Sequence, residues 1–436
     1  MAEPRGVIIA APASGAGKTL VTLALIGALR AGGHRVASAK VGPDYIDPRF
    51  HAAATGRDCV NLDPWAMRPG LVRALALNAA TAADLLVVEG VMGLFDGAED
   101  GSGSTADLAC LLGLPVLLTV DARRQAHSVA ALVKGFAEFR ADCRVAGVIL
   151  NRVASVRHRA ILETALDLIG VPVVGALMED AGMVMPSRHL GLVQAEEHGN
   201  LGALLGRAAA SATEGIDLDR FATLAAPLRL TQKPVERLAP LGGRIAIASD
   251  RAFGFAYPHL LDGWKAAGAE LRAFSPLADE APDADADAVF LPGGYPELHA
   301  GRIAQNKTFL GGLRKAAERG ALIYGECGGF MVLGEALVDA EGAAHAMAGL
   351  LPIETSFARR KLHLGYRHLE HDGALLWPRR LAGHEFHYST IAREEAAEPL
   401  FSARDSAGRQ IGTLGLKCGR VMGSYAHIID AAEETA

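Results

Sequence analysis

The sequence predicts an α/β protein of two domains, the first a parallel sheet covered on both sides by helices and the second a further βα series that gives way to strand-like runs. Short runs rich in Val, Ile and Leu alternate with longer Ala/Leu/Arg segments of helical spacing. The short runs are apolar on both faces, which is the pattern of a buried parallel strand. The alternation lapses once, over residues 225–243, where three prolines and a closing Gly-Gly read as a linker, and then it resumes. The 436 residues are therefore divided into a domain over 1–228, a linker over 229–243 and a domain over 244–436.

In the first domain the strand runs fall at residues 6–11, 35–41, 85–89, 115–120, 145–150 and 171–177. Their length, valine content and glycine or proline ends favour strands over buried helices. In the second domain strands are expected at 244–250, 287–294 and 321–329. After Leu362 the helical pattern fades and strand-like runs continue to about Ile428.

Composition narrows the class. Half of the residues are hydrophobic and 21% are charged, which excludes a disordered or collagen-like chain. The net charge of −6 comes without a polybasic block, so nucleic acid and anionic membrane are not expected as partners. Five scattered cysteines without CxxC spacing argue against a disulfide framework or a cysteine-rich zinc site, and for a reducing compartment. The longest apolar stretch, about 108–120, is broken by Gly113 and Pro115 and falls short of the roughly 20 residues of a membrane span. The N-terminus contains Glu3 and runs into a glycine-rich motif, which reads as a first strand rather than a signal peptide. A cytoplasmic enzyme is expected.

The glycine-rich motif is APASGAGKTL, residues 11–20, between the first strand run and a helix. Gly17, Lys18 and Thr19 match the end of the P-loop pattern, while Pro12 stands at its first glycine. That departure argues away from a GTPase switch. Ser14, Gly15 and Ala16 are small enough to let backbone N–H groups approach phosphates at a helix N-terminus. Lys18 would reach the β- and γ-phosphates, and Thr19 would offer its hydroxyl to Mg²⁺.

Carboxylates follow at strand ends. KVGPDYIDP supplies Asp44 and Asp47, and LLVVEGVMGLFDG supplies Glu89 and Asp96. Taken singly, Asp44 and Asp96 also read as turn caps. Glu89, directly after LLVV, requires a partner, and an acid beside a P-loop suits Mg²⁺. Asn151 and Arg152 end another strand, where they serve either an adenine base or a helix cap.

The second domain offers a nucleophile. LIYGECGGF places Cys327 among Gly325, Gly328 and Gly329 on a strand-to-helix turn. The glycines argue against a structural cysteine, and the helix dipole is expected to lower the thiol pKa. The N–H of Gly328, with Gly293 and Gly294 of LPGGYPE, would form an oxyanion hole. His427 in GSYAHIID is the candidate base. The remaining cysteines read as core. The two histidines of GHEFHYS lie three apart, would face opposite sides of a strand, and suit core or substrate contact better than zinc. RRKLHLGYR reads equally as a solvated or an anion-binding loop.

ASGAGKT, KVGPDYIDP and EGVMGLFDG, taken with PGGYPE, GECGG and GHEFHYS, resemble the glutamine-dependent cobyrinic or hydrogenobyrinic acid a,c-diamide synthases of vitamin B12 synthesis. The resemblance covers nearly the whole chain. It implies a dethiobiotin-synthetase-like P-loop NTPase domain followed by a class I glutamine amidotransferase-like domain. It also implies that Cys327, activated by His427, releases ammonia from glutamine through a thioester. MgATP would phosphorylate a corrinoid carboxylate, and ammonia would displace the phosphate to give an amide, first at the c and then at the a carboxylate. Carried onto this chain, Thr19, Asp47 and Glu89 would handle Mg²⁺, Asp44, Tyr45 and Asp96 would lie near the substrate carboxylate, and the enzyme would be a homodimer. Many class I amidotransferases carry a glutamate two residues after the histidine. Here that position is Ile429, so the histidine either works alone or borrows Asp430 or another acid. Rival readings are cobyric acid synthase, another tetrapyrrole a,c-diamide synthase, and a partitioning-type ATP switch with a degenerate amidotransferase tail. The motifs do not distinguish a cobalt-bearing from a metal-free corrinoid.

Overall fold

The computed structural model describes residues 3–185, 187–188, 191–192, 194–229 and 235–432. Residues 230–234 of the expected linker lie outside the described residues. Contacts divide the chain into two units, Met1–Trp65 with Pro69–Val235, and Ala66–Arg68 with Glu236–Ala436.

The first unit is built on β1 (Arg5–Ala10), β2 (Val36–Val41), β3 (Val60–Leu62), β4 (Leu85–Glu89), β5 (Val116–Asp121), β6 (Val145–Val153) and β7 (Val173–Met178). They lie in the order β3-β2-β4-β1-β5-β6-β7, and every neighbouring pair is parallel. Each expected strand run of this domain is present. β3 was not anticipated, because three residues leave no readable period. Ala226–Pro227 adds a short antiparallel pairing at the start of β1.

The crossovers are helical. They include α1 (Lys18–Ala31), α2 (Asp47–Thr55), α3 (Pro69–Ala80), α4 (Thr105–Leu112), α5 (Ser128–Glu138) and α6 (Val156–Asp167). Val7, Ile9, Val87 and Leu117 of the sheet pack with Val21, Leu25, Ile26 and Leu29 of α1 in one buried cluster. Each such side chain contributes roughly 1.5–3 kcal/mol on burial. In an open parallel sheet, ligands are taken at the carboxyl ends of the strands. The loops after β1, β2 and β4 leave from those ends.

The second unit carries a ten-stranded sheet that is parallel in only half of its width. Glu270–Phe274, Arg244–Ala248, Ala288–Leu291, Leu322–Glu326 and Val421–Ser424 are parallel neighbours in that order. Gln410–Cys418, Glu398–Asp405, His363–Glu370, Arg380–His387 and Ala426–Ala431 continue the sheet antiparallel. The strand-like runs expected after Leu362 form this antiparallel half. His363–Glu370, Glu398–Asp405 and Gln410–Cys418 are exposed or half-buried over most of their length, as an antiparallel sheet allows, whereas Ala426–Ala431 is buried throughout. Only Tyr425 separates Val421–Ser424 from Ala426–Ala431, so the last strand in the order follows directly on the fifth in the chain and pairs with Arg380–His387. Among the described residues no helix is long and apolar enough to cross a membrane.

Candidate functional site

The phosphate loop leaves β1 and enters α1 through Gly17, whose φ of 88° lies in the left-handed region. A Cβ there would be strained and would also overlap the Asn151 side-chain amide. Asn151 Nδ2 donates to Ala16 O at 2.9 Å, and Arg152 Nη1 donates to Gly15 O at 2.9 Å and to Asp121 Oδ2 at 2.6 Å. Both residues expected at the nucleotide base are thus bonded to the phosphate loop itself. Ser14 and Gly15 are exposed at its tip. Lys18 Nζ donates to the Met92 carbonyl. Burial, then the charge of Lys40, lowers its pKa to about 8.

The parallel register of β2 and β4 sets Lys40 beside Glu89. Lys40 Nζ lies 2.9 Å from Glu89 Oε1, 2.8 Å from Asp47 Oδ2 at the start of α2, and 3.0 Å from the Gly90 carbonyl. Thr19 Oγ1 donates to Glu89 Oε1 at 2.7 Å and reaches Asp47 Oδ2 at 3.4 Å. His51 Nε2 meets the other Glu89 oxygen at 2.6 Å. Burial opposes ionisation of Glu89, but Lys40, His51 and Thr19 outweigh it and hold the carboxyl far below its ordinary range. Burial, then Asp44, pushes Asp47 up to about 7.

The structure therefore brings the expected Thr19, Asp47 and Glu89 together and adds Lys40 and His51, which sequence reasoning missed. The available signal was a lysine inside an otherwise apolar strand. Asp44 and Asp96 act as turn caps. Asp44 Oδ1 accepts from the N–H groups of Ile46 (2.7 Å) and Asp47 (3.1 Å), and Asp96 Oδ2 accepts from Gly93 N at 2.8 Å. Tyr45 is half-buried next to Asp44 in the same loop.

In the second unit, Cys327 ends the strand Leu322–Glu326 and precedes the helix Gly328–Leu333. Its φ of 47° and ψ of −103° are strained for a residue with a side chain, a cost of about 1–3 kcal/mol that clusters at functional turns. Cys327 N donates to Ser424 O at 2.8 Å, tying the turn to the neighbouring strand. A Cβ on Gly293 would overlap His427 Cε1 and lie 3.1 Å from His427 Nε2 and 3.3 Å from Cys327 Cβ. Gly293, His427 and Cys327 thus meet, and the two side chains are buried. A Cβ on Gly328 would sit 3.1 Å from Gly294 N, so the glycine loop also touches the turn.

The expected lowering of the thiol pKa is not found. Burial, then the negative charge of Glu297, pushes Cys327 well up. The helix after it has only six residues and little dipole to oppose them. The thiol needs its base.

Two family models match this chain. One, described as a CobQ/CobB/MinD/ParA nucleotide binding domain, matches residues 7–192. The other, a CobB/CobQ-like glutamine amidotransferase domain, matches residues 244–435. A hydrogenobyrinate a,c-diamide synthase of Brucella suis biovar 1 is 58% identical over 435 residues, covering 99% of this chain and 100% of its own. Those of Brucella anthropi (57%, 99% and 100%) and Rhizobium meliloti (55%, 98% and 100%) match as fully. The chain belongs to the hydrogenobyrinate a,c-diamide synthase family.

In this synthase-family chain the surroundings of the histidine answer what the motifs left open. Asp430 is taken by Arg68, through Nε and Nη2 at 2.9 Å each and the backbone N at 3.0 Å. Ile429 offers only its carbonyl, which accepts from His259 Nε2 at 2.8 Å. The carboxylate beside His427 is Glu326, with Oε2 3.7 Å from Nδ1. Sequence reasoning missed it.

His384 and His387 are not brought together. They fall on opposite faces of Arg380–His387, His384 by Tyr366 and His387 stacked on Tyr425. His387 instead joins Glu385 and His363, with one ligand atom from each within 4.8 Å of the others. The two rings of that group lie parallel, at 3° and 4.7 Å, so their in-plane lone pairs do not converge on one point. Glu385 is committed to Arg367 (2.7 Å) and His387 (2.8 Å). Arg359, Arg360 and Lys361 are exposed.

Proposed function

We propose that this chain is an ATP- and glutamine-dependent ligase that amidates the a and c carboxylates of hydrogenobyrinic acid in cobalamin biosynthesis. One observation carries the reading. Along a chain matched end to end by synthases of that name, a phosphate loop with clustered acids and a strained Cys327 packed, like His427, against Gly293 are both intact. The metal-free substrate is taken from the names of the relatives.

In the second unit His427 takes the Cys327 proton, and the sulfur attacks the side-chain amide carbon of glutamine. The developing oxyanion is held by backbone N–H groups of the Gly293–Gly294 loop and Gly328. The amide nitrogen leaves as ammonia with the proton from His427, and water hydrolyses the thioester to glutamate.

In the first unit the substrate carboxylate, flanked by Asp44, Tyr45 and Asp96, attacks the γ-phosphorus of ATP; the bond to the bridging oxygen breaks, ADP leaves and an acyl phosphate forms. Ammonia then attacks the acyl carbon and phosphate leaves. Lys18 and the N–H groups of residues 14–19 bind the phosphates, and Asn151 and Arg152 brace that loop from the nucleotide side. Thr19, Asp47 and Glu89 offer only oxygen donors, which suit Mg²⁺. Bound with ATP, the ion would offset phosphate charge. The reading carries with it a cytoplasmic location and a homodimer.

The test is a mass-spectrometric count of amides formed from hydrogenobyrinic or cobyrinic acid with MgATP and glutamine. Two amides on hydrogenobyrinic acid are expected. Amidation of cobyrinic acid alone would move the substrate to the cobalt form. No amidation of either, with glutaminase activity intact, would move it to another carboxylic acid.

A further inference from the structure

We infer that Glu326 is the residue that positions His427, standing in for the acid that Ile429 does not supply; this rests on the Cys–His glutaminase reading above. The carboxylate is buried, 1% exposed, and held at Oε1. Oε1 accepts from Ile428 N at 3.0 Å, and Oε2 faces His427 Nδ1 at 3.7 Å. The first contact fixes the acid to the histidine's own strand, one residue beyond it. The second places an oxygen at Nδ1, which leaves Nε2, on the edge of the ring that packs against Gly293, for the thiol.

An acid on the histidine's own strand would have to stand two residues away to share its face. That place holds Ile429, 1% exposed and apolar. In this fold the acid comes from the neighbouring element instead. Glu326 immediately precedes Cys327, so one turn presents both the nucleophile and the histidine's partner. The other charged groups around His427 are engaged or neutral. Asp430 is paired with Arg68, and Glu385 with Arg367 and His387. His384, the register partner of His427, is held neutral by burial and by the charges of His427 and Arg367, its pKa lowered to about 3.

The chemistry follows from the geometry. When the Sγ proton moves to Nε2, the ring becomes an imidazolium whose Nδ1–H points toward Glu326. The carboxylate stabilises that charge, and the proton goes on from Nε2 to the departing ammonia. A separation of 3.7 Å exceeds a hydrogen bond in the free enzyme, and such contacts tighten when the site is loaded. Glu326 faces His427 Nδ1 and the Ile428 N–H, so its effect passes through His427.

The experiment compares glutaminase kinetics of the full chain with Glu326→Gln, Glu326→Asp and His427→Ala, each checked for an unchanged thermal unfolding curve. Glu326→Gln is expected to lower glutaminase kcat about 10–100-fold, less than loss of a general base, which costs roughly 10²–10⁴-fold. KM for glutamine should stay within about twofold, and ammonia-dependent amidation should not change. The pH–rate profile should shift to lower pH, because an imidazolium without its carboxylate loses its proton more easily. Glu326→Asp keeps the charge and should retain the wild-type profile with a smaller loss of kcat. In the His427→Ala background, adding Glu326→Gln should cost nothing further. Wild-type kcat and profile in Glu326→Gln overturn the inference. So does a loss of kcat with an unmoved profile, or a full further loss on top of His427→Ala. If Glu326→Gln does not fold, Glu326→Asp decides: a lowered kcat with KM within about twofold and no further loss in the His427→Ala background supports the inference, and a wild-type kcat or a full further loss overturns it. Undiminished glutaminase activity in Cys327→Ala would instead overturn the underlying reading, whatever Glu326 does.

Discussion

Lys40 and Glu89 face each other across neighbouring parallel strands, and their side chains meet at 2.9 Å with 4% and 0% exposure. Asp47 and His51 complete the group. Lys40→Met would leave Asp47 buried without its cation and Glu89 with His51 alone. Breaking one side of a buried pair costs about 3–5 kcal/mol. Urea unfolding should show a loss of that size, with little dependence on salt, because the pair is out of reach of ions. Removing Glu89 as well, as Lys40→Met/Glu89→Gln, should recover part of it. A loss under 1 kcal/mol for the single variant would mean that the group is hydrated.

The two chemical halves should separate by mutation. Cys327→Ala should abolish glutamine-dependent amidation and leave ammonia-dependent amidation within about twofold, since only the source of nitrogen is lost. Failure of ammonium salts to rescue it would break the two-site scheme.

Lys18→Ala should do the reverse. Amidation from either nitrogen source should fall at least about a hundredfold, as removal of a preorganised electrostatic group does. Cys327 alkylation should proceed at the wild-type rate. Ammonia-dependent activity surviving in Lys18→Ala would remove the phosphate loop from the mechanism.

What the sequence showed and what it concealed divide along the distance between partners. Gly17, Lys18 and Thr19 are contiguous, and so are Gly325 to Gly329 around Cys327, so their geometry could be inferred from adjacent residues. Lys40 and His51 acquire meaning only through Glu89, 49 and 38 residues away, and Glu326 only through a strand 102 residues on. Register sets those meetings, and register is invisible in one strand. The thiol of Cys327 shows a second limit. Proximity to a helix start was legible, but the burial that outweighs it was not. The antiparallel half of the second sheet was visible as strand-like runs, while the pairing of Ala426–Ala431 with Arg380–His387 depends on the bend at Tyr425.

Gly293 is packed so closely that its lack of a side chain positions the base. In Gly293→Ala the new methyl would overlap His427 Cε1. The imidazole must then shift from its place against residue 293. Glutaminase kcat is expected to fall at least about tenfold, with ammonia-dependent amidation unchanged. Unchanged glutaminase activity would show that the base acts from another position.

Glu297 gives the glutaminase site a pH dependence of its own. Burial pushes its carboxyl up to about 7, with Arg360 opposing. Its negative charge is among the causes that raise the Cys327 thiol. Above pH 7 Glu297 is ionised and works against the thiolate; below pH 7 it is neutral and does not. Glu297→Gln should therefore speed iodoacetamide alkylation of Cys327 at pH 8 by about 3–10-fold, and the advantage should vanish toward pH 6. The same shift has a stability sign. The folded chain holds this proton between about pH 4.5 and 7 while the unfolded chain has released it, so stability from this group falls as pH rises through that window. Glu297→Gln should accordingly raise the Tm at pH 8 more than at pH 5. An alkylation advantage that persists at pH 6, or a Tm gain that is larger at pH 5, would show that the carboxyl is ionised throughout and does not control the thiol in this way.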